Sequence, residues 1–271
     1  LGYMQGVMDR LVDRLGTINH DTLASEEDSF IYQFGIFHED MHTEAFLWGR
    51  QSLAYPTPIL AMAKDVTTER AAGPWPGYVE IPGGKFRMGA EKDAPFLFDN
   101  EKYAHEVTVA PFAIARAPIT NAEFAKFVES GGYSNDSHWC EDGKAWRDMR
   151  DFDHPGYWVR DGPGRWRMRR FEHDIILPEN EPVIHVSWYE ASAYCRWAGV
   201  RLPTELEWEV AALGMPDADG ALAATKRPYP WGYTPPTPNC ANLDAQALGS
   251  IDVAALPDGD SAFGCRQMLG N

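Results

Sequence analysis

Two histidines four residues apart, His38 and His42, are the residues of this chain best suited to chemistry. They stand in His38-Glu39-Asp40-Met41-His42-Thr43-Glu44, inside an apolar run that opens at Phe30 and continues through Ala45-Phe46-Leu47-Trp48. On a helix, positions four apart share a face, so the pair offers two imidazoles to one metal ion. At about 100° per residue, Gly35, His38, His42, Ala45 and Gly49 fall on one narrow stripe. Small neighbours leave room for a metal and a molecule bound to it. The spacing alone also permits a blander reading, in which the two histidines only cap or hydrogen-bond.

A helix must carry the pair. No Pro and no double Gly interrupts Phe30 to Leu53, and Tyr55-Pro56-Thr57-Pro58 stops the pattern. A helix is therefore expected over 28–53, entered through Ser25-Glu26-Glu27-Asp28, which suits a helix start. A second amphipathic helix is expected over 2–15, with Tyr3, Met4, Val7, Met8, Leu11, Val12 and Leu15 on one face and Gly16 at its end. Two long helices need partners, so residues 1–70 read as part of a helical bundle. Leu1 opens without Met and Asn271 closes directly after Met268-Leu269-Gly270, so the chain is expected to be a fragment of a longer protein.

The grammar changes at Gly73-Pro74-Trp75-Pro76-Gly77, a stiff linker that marks a domain boundary. Tyr78 to Gly89 reads as a strand, a Pro82-Gly83-Gly84 turn and a second strand; 105–109 and 112–115 read as two more. Thr120 with Glu123, Ser187 with Glu190 and Thr204 with Glu207 each form a capping box that starts a helix. Residues 133–181 read as a long irregular insert, 182–186 as a strand, and 229–271 as loops.

Composition bounds the function. At 271 residues the chain has one or two domains, and 44% hydrophobic with 13% aromatic residues describes a folded protein. A net charge of −16 argues against a nucleic-acid or anionic-membrane surface. No stretch reaches the ~18 apolar residues of a membrane span, and no signal peptide opens the chain. Cys140, Cys195, Cys240 and Cys265 contain no Cys-x-x-Cys pair, so a cytoplasmic, reducing setting is expected.

Residues 77–271 resemble the formylglycine-generating enzymes, also called the sulfatase-modifying-factor domain. The resemblance rests on Ile81-Pro82-Gly83-Gly84-Lys85-Phe86-Arg87-Met88-Gly89, Pro118-Ile119-Thr120-Asn121-Ala122-Glu123-Phe124, and Pro182-Val183-Ile184-His185-Val186-Ser187-Trp188. Ala193 to Gly199, Arg201 to Glu209, Tyr229-Pro230-Trp231-Gly232, Ala241-Asn242-Leu243 and Gly270-Asn271 follow in the family's order. It implies an α+β, C-type-lectin-like fold. In that family the Gly-Asn pair is usually followed by an aromatic residue and Trp-Glu-Trp, which is where this chain stops.

A helix with His-x-x-x-His-x-Glu ahead of such a domain is similar to the ergothioneine-type sulfoxide synthases, which carry a DinB-like bundle, and to the relatives that make selenoneine. The fold class implied is α+β, with a partial N-terminal DinB-like bundle before the lectin-like domain. The implied activity is an O2-dependent, non-haem Fe(II) synthase that joins sulfur or selenium to the imidazole C2 of hercynine (trimethylhistidine). The implied partners are hercynine, a thiol or selenol donor and O2. Three histidines hold iron in that family, and the positions matching two of them are His38 and His42. Three neutral imidazoles would leave three octahedral positions open. The third ligand is expected before Leu1, since His20, the other histidine of this region, lies in the inter-helix connection.

Glu39, Asp40 and Glu44 fall off the histidine stripe and read as solvated or hydrogen-bonding groups. Met41 stands where many ergothioneine synthases have a Gln that helps hold the betaine; its thioether lines a pocket without a directional hydrogen bond. Trp139, Trp146, Trp158 and Trp166 are candidates for a cage around a quaternary ammonium, against a plain core role. Asn242 and Asn271 match positions that bind Ca²⁺ in some relatives, against a structural turn role. The acid or tyrosine that completes the oxygen chemistry is expected after Asn271. Two other functions stay open: a lectin-like binding module with a vestigial bundle, and a formylglycine-generating thiol oxidase, which needs a cysteine pair.

Overall fold

The uninterrupted apolar periodicity of the first fifty residues produces two long helices, α1 (Gly2–Gly16) and α2 (Glu26–Ser52). The structure, a computed structural model, describes residues 2–17, 26–60, 72–94, 96–150 and 153–271, with backbone alone for 26–29. The proposed cap at Ser25, His20, and most of the expected boundary segment 59–76 lie outside the described residues. α1 buries none of its side chains, and Tyr3, Met4, Met8, Val12 and Leu15 stay exposed. Among the described residues no element buries this amphipathic stripe.

Among the described residues, seven strands follow boundary residues 72–77. Of these, β1 (Tyr78–Ile81), β2 (Gly84–Met88), β3 (His105–Val109) and β4 (Phe112–Ala115) form two antiparallel pairs. The strands on either side of Pro82-Gly83 do not pair with each other: β1 pairs with β4, and β2 with β3. The chain crosses between the pairs at Gly83. A Cβ there would come within 2.6 Å of the Pro111 ring, so only Gly permits the approach.

Three helices start at the three capping boxes. In α3 (Asn121–Glu129), α5 (Trp188–Ala198) and α6 (Glu205–Leu213), the hydroxyl of Thr120, Ser187 or Thr204 accepts from the N–H three residues on, and the Glu there accepts from the cap N–H. Each cap is worth about 1 kcal/mol. α5 ends on Gly199 at φ 73°, a left-handed conformation that favours Gly.

Residues 133–181 depart from the expected irregular insert. They hold α4 (Glu141–Asp148) and a three-stranded antiparallel sheet of β5 (Trp158–Arg160), β6 (Trp166–Arg170) and β7 (His173–Ile176). In β6, Trp166 and Met168 are buried while Arg167 and Arg169 are half-buried on the other face. That is a period of two, with arginine in the outward positions. Residues 182–186 also depart from expectation. They form no strand, only one bridge between Pro182 and Thr120. Pro182 brings no N–H to a ladder, and His185 at φ 62° breaks the extended path.

Two cores result. One packs Phe124, Phe127, Tyr133, Trp139, Trp158, Trp166, Met168 and Tyr194 between α3, α5 and the three-stranded sheet. The other packs Ile81, Phe86, Val109, Val210 and Cys265 around β1, β2 and α6. Residues 229–271 are loops apart from one 3-10 turn, Pro257–Gly259, as their Pro, Gly and Asn content requires. Among the described residues no helix is long and apolar enough to cross a membrane.

One ion pair inside this frame gives a pH test. Both guanidinium arms of Arg201 donate to Glu207, at 2.7 and 2.5 Å, and Thr204 adds two more hydrogen bonds. The Arg201 bonds foremost hold the Glu207 carboxyl down from 4.5 to about 2. A carboxyl depressed on folding stabilises the fold fully above its unfolded value, and that contribution is lost as pH falls through the folded value. The stability difference between the parent protein and Glu207→Gln is therefore expected to hold steady down to about pH 4.5 and to shrink between there and about pH 2. Denaturant titration across that range checks it; a pH-independent difference would contradict it.

Candidate functional site

α2 brings the two histidines together as the spacing requires. The His38 and His42 rings sit 4.5 Å apart, centroid to centroid, at 90° to each other. Phe34, one turn earlier, stacks on His38 at 5.8 Å and 16°. Both imidazoles are exposed, on the open part of α2. Two imidazole nitrogen donors on one helix face are two of the three ligands of a facial set, so the residues fit a divalent transition metal in donor type. Among the described residues no group of three or more His, Cys, Asp or Glu is placed to hold a metal. Glu39, Asp40 and Glu44 are exposed and do not complete such a group. Met41 is 49% exposed.

Two contacts fix α2 to the rest of the chain. Near the histidines, Phe96 and Phe98 dock on the helix. Phe96 lies 5.2 Å from Phe30 and 4.8 Å from Phe37, and Phe98 lies 6.4 Å from Phe34. At the C-terminal end, Gln51 is 9% exposed and bonds both ways. Its amide donates to the Arg169 carbonyl at 2.9 Å and accepts from the Phe171 N–H at 2.6 Å. Arg169 returns the contact by donating to the carbonyls of Gln51 and Ser52. Just beyond, the Thr57 N–H donates to Glu172 at 2.6 Å. None of these anchors was marked by sequence, because each pairs residues more than a hundred positions apart or joins a loop phenylalanine to a helix.

The tryptophans are placed differently from a cage. Trp139 and Trp158 are 4% and 3% exposed, inside the first core, and Trp166 lies with them. The Trp139 indole N–H donates to the Gly132 carbonyl at 2.9 Å. Their bulk fills the space between helices and sheet, and none of these rings pairs with His38 or His42. Trp146 is half-buried on α4, beside Tyr189, with the Arg150 guanidinium 5.3 Å over its ring.

Asn242 and Asn271 are brought to one loop. Asn242 donates to the Gly249 carbonyl at 2.9 Å. The Asn271 amide accepts from the Ile251 N–H at 2.7 Å and donates back to the Ile251 carbonyl at 3.2 Å. Both ends of the Asn271 amide are engaged by the chain itself.

The four cysteines are free. Cys195 and Cys265 are buried, and burial raises both thiols, Cys265 to about 11. That is the reverse of the depressed pKa a nucleophilic thiolate needs.

Comparison with known proteins agrees with the second part of this architecture. Residues 63–271 match the family model of the sulfatase-modifying factor enzyme 1-like domain. The chain belongs to that family. The match begins 14 positions ahead of the boundary expected at 77 and takes in the whole linker at 73–77. Over a longer span the chain is similar to two proteins named hercynine oxygenase. It is 38% identical over 256 residues to that of Mycolicibacterium smegmatis, covering 93% of this chain. It is 41% identical over 250 residues to that of Mycobacterium tuberculosis, covering 92%. The chain spans 56% of the length of each. A formylglycine-generating enzyme of Thermomonospora curvata is 38% identical over 166 residues, 58% of this chain and 52% of that protein.

Proposed function

We propose that this chain is part of an O2-dependent oxygenase acting on hercynine. In the full reading it is a non-haem Fe(II) synthase that joins sulfur or selenium to the imidazole C2. One observation carries the reading: the adjacent imidazoles of His38 and His42, 4.5 Å apart on α2, lie ahead of the family domain. The similarity to hercynine oxygenases supports it. A match over 93% of 271 residues leaves too few positions outside it to exclude residue 38. α1 and α2 then belong to a DinB-like bundle whose remaining helices cover the exposed stripe of α1.

His38 and His42 would hold the iron, with a further donor from outside the described residues. When bound, iron supplies the redox chemistry that activates O2 and links the chalcogen to the ring. The protein's own residues do the rest. Phe34 stacks on His38 and restricts the ring's rotation, so a donor nitrogen stays on the helix face. Gly35, Ala45 and Gly49 keep that face low, leaving space for substrate beside the pair. Met41 presents a thioether next to this space and gives hercynine an apolar wall rather than a hydrogen bond. Of Trp139, Trp146, Trp158 and Trp166, only Trp146 is half-open, and its face already carries Arg150. The proposal therefore places no cage at Trp139 or Trp158, and no calcium at Asn242 and Asn271.

The test is oxygen uptake by the full-length protein loaded with Fe(II). Uptake is expected only when hercynine and a thiol or selenol donor are both present. Uptake that ignores hercynine would overturn the reading.

A further inference from the structure

The histidine helix is held by the second domain at two places, one on each side of the His pair. The aromatic contact of Phe96 and Phe98 grips residues 30–37. The polar contact grips Gln51 and Ser52, about 13 Å beyond His42 along the axis at 1.5 Å per residue. At about 100° per residue, Phe30, Phe34, Phe37 and Gln51 share one face, and His38 and His42 lie roughly a quarter-turn round from it. The pair thus borders the docking face, so a small roll or slide of α2 would move both imidazoles relative to the second domain.

We infer that Gln51 and Arg169 are the positioning residues that fix the histidine helix on the three-stranded sheet. This rests on the proposed role of His38 and His42. The chemistry of the contact is specific. Gln51 is buried, and its amide both donates and accepts, which fixes its orientation. Arg169 places a cation at the C-terminal end of α2, where the last carbonyls lack intrahelical donors and the helix dipole is negative. Its guanidinium also lies 4.5 Å over the Tyr157 ring, and Tyr157 reaches the Ser52 hydroxyl at 3.3 Å. Aromatic packing tolerates sliding; a two-way amide pair with a forked cation does not. The polar end therefore sets the register, and the aromatic end supports it.

The test uses full-length protein with spin labels at Asp40→Cys and Ile176→Cys, both exposed sites, with Cys140→Ser and Cys240→Ser in the background. Gln51→Leu and Arg169→Met are each expected to broaden the label-to-label distance distribution and to speed exchange of the Phe171 amide about tenfold or more. Co(II) affinity, used as the metal probe, is expected to change less than about threefold, while hercynine-dependent oxygen uptake falls about tenfold or more. The double variant is expected to be worse than either single one, since the Gln51 amide and the Arg169 guanidinium make separate hydrogen bonds, each to the other's backbone. Gln51→Glu keeps the acceptor for Phe171 and loses the donor to Arg169, so it is expected to fall in between; it also serves if Gln51→Leu does not fold. An unchanged distance distribution would overturn the inference, and so would unchanged uptake alongside a broadened one. If the unsubstituted protein shows no hercynine-dependent uptake, the proposed function fails, while the distance and exchange readings still decide the positioning role.

Discussion

Replacing His38 or His42 by Ala is expected to abolish tight iron binding and to lower hercynine-dependent turnover by more than about a hundredfold, since even the residues behind a metal ligand are worth 10–100-fold. Both imidazoles are exposed and make no core contact, so the melting temperature of the family domain is expected to stay put. This separates loss of a ligand from loss of the fold. The two variants are expected to be equally damaging, because the rings sit on one face 4.5 Å apart and, on the proposed function, would serve one ion. Metal content by elemental analysis, with oxygen uptake alongside, checks this. Parent-like iron content in either variant would leave that histidine with a structural role.

Phe127→Ala carries the largest expected effect on stability. Phe127 is fully buried. Its ring meets Phe124 at 5.4 Å, Tyr133 at 5.7 Å, Trp197 at 5.8 Å and Tyr194 at 6.0 Å. Truncation removes a whole ring from the centre of this aromatic set and leaves a cavity that fused neighbours on α3 and α5 cannot close. A loss of about 3–5 kcal/mol is expected. For a domain of about 200 residues, each kcal/mol moves the melting temperature by about 2–4 °C, so a fall of roughly 6–20 °C should be measurable. A change below about 1 kcal/mol would mean that this cluster repacks freely.

The sequence was most informative where local chemistry decides the outcome. Thr120, Ser187 and Thr204 announce helix starts because a cap is a contact within four residues. The histidine helix was equally legible, since its length and its i, i+4 pair need no tertiary information. Long-range pairing was not legible. The sheet of β5, β6 and β7 was hidden because arginines occupy the outward positions of β6, and Arg167, Arg169 and Arg170 look like loop residues until the buried Trp166 and Met168 show the alternation. The expected strand at 182–186 failed on the missing N–H of Pro182 and the positive φ of His185. Trp139 and Trp158 looked like ligand-binding candidates by type, and burial assigned them to the core. The anchors of α2 on the second domain, Gln51 with Arg169 above all, had no sequence signal because they join positions 118 apart.

The central claim is that the chain acts at the imidazole C2 of hercynine. The direct measurement is mass spectrometry of the products formed by the Fe(II)-loaded full-length protein from hercynine deuterated at C2, with a thiol or selenol donor under O2. The account predicts an adduct that carries sulfur or selenium on the imidazole and has lost the C2 deuterium. Hercynine recovered with its deuterium in place and no chalcogen attached would contradict it.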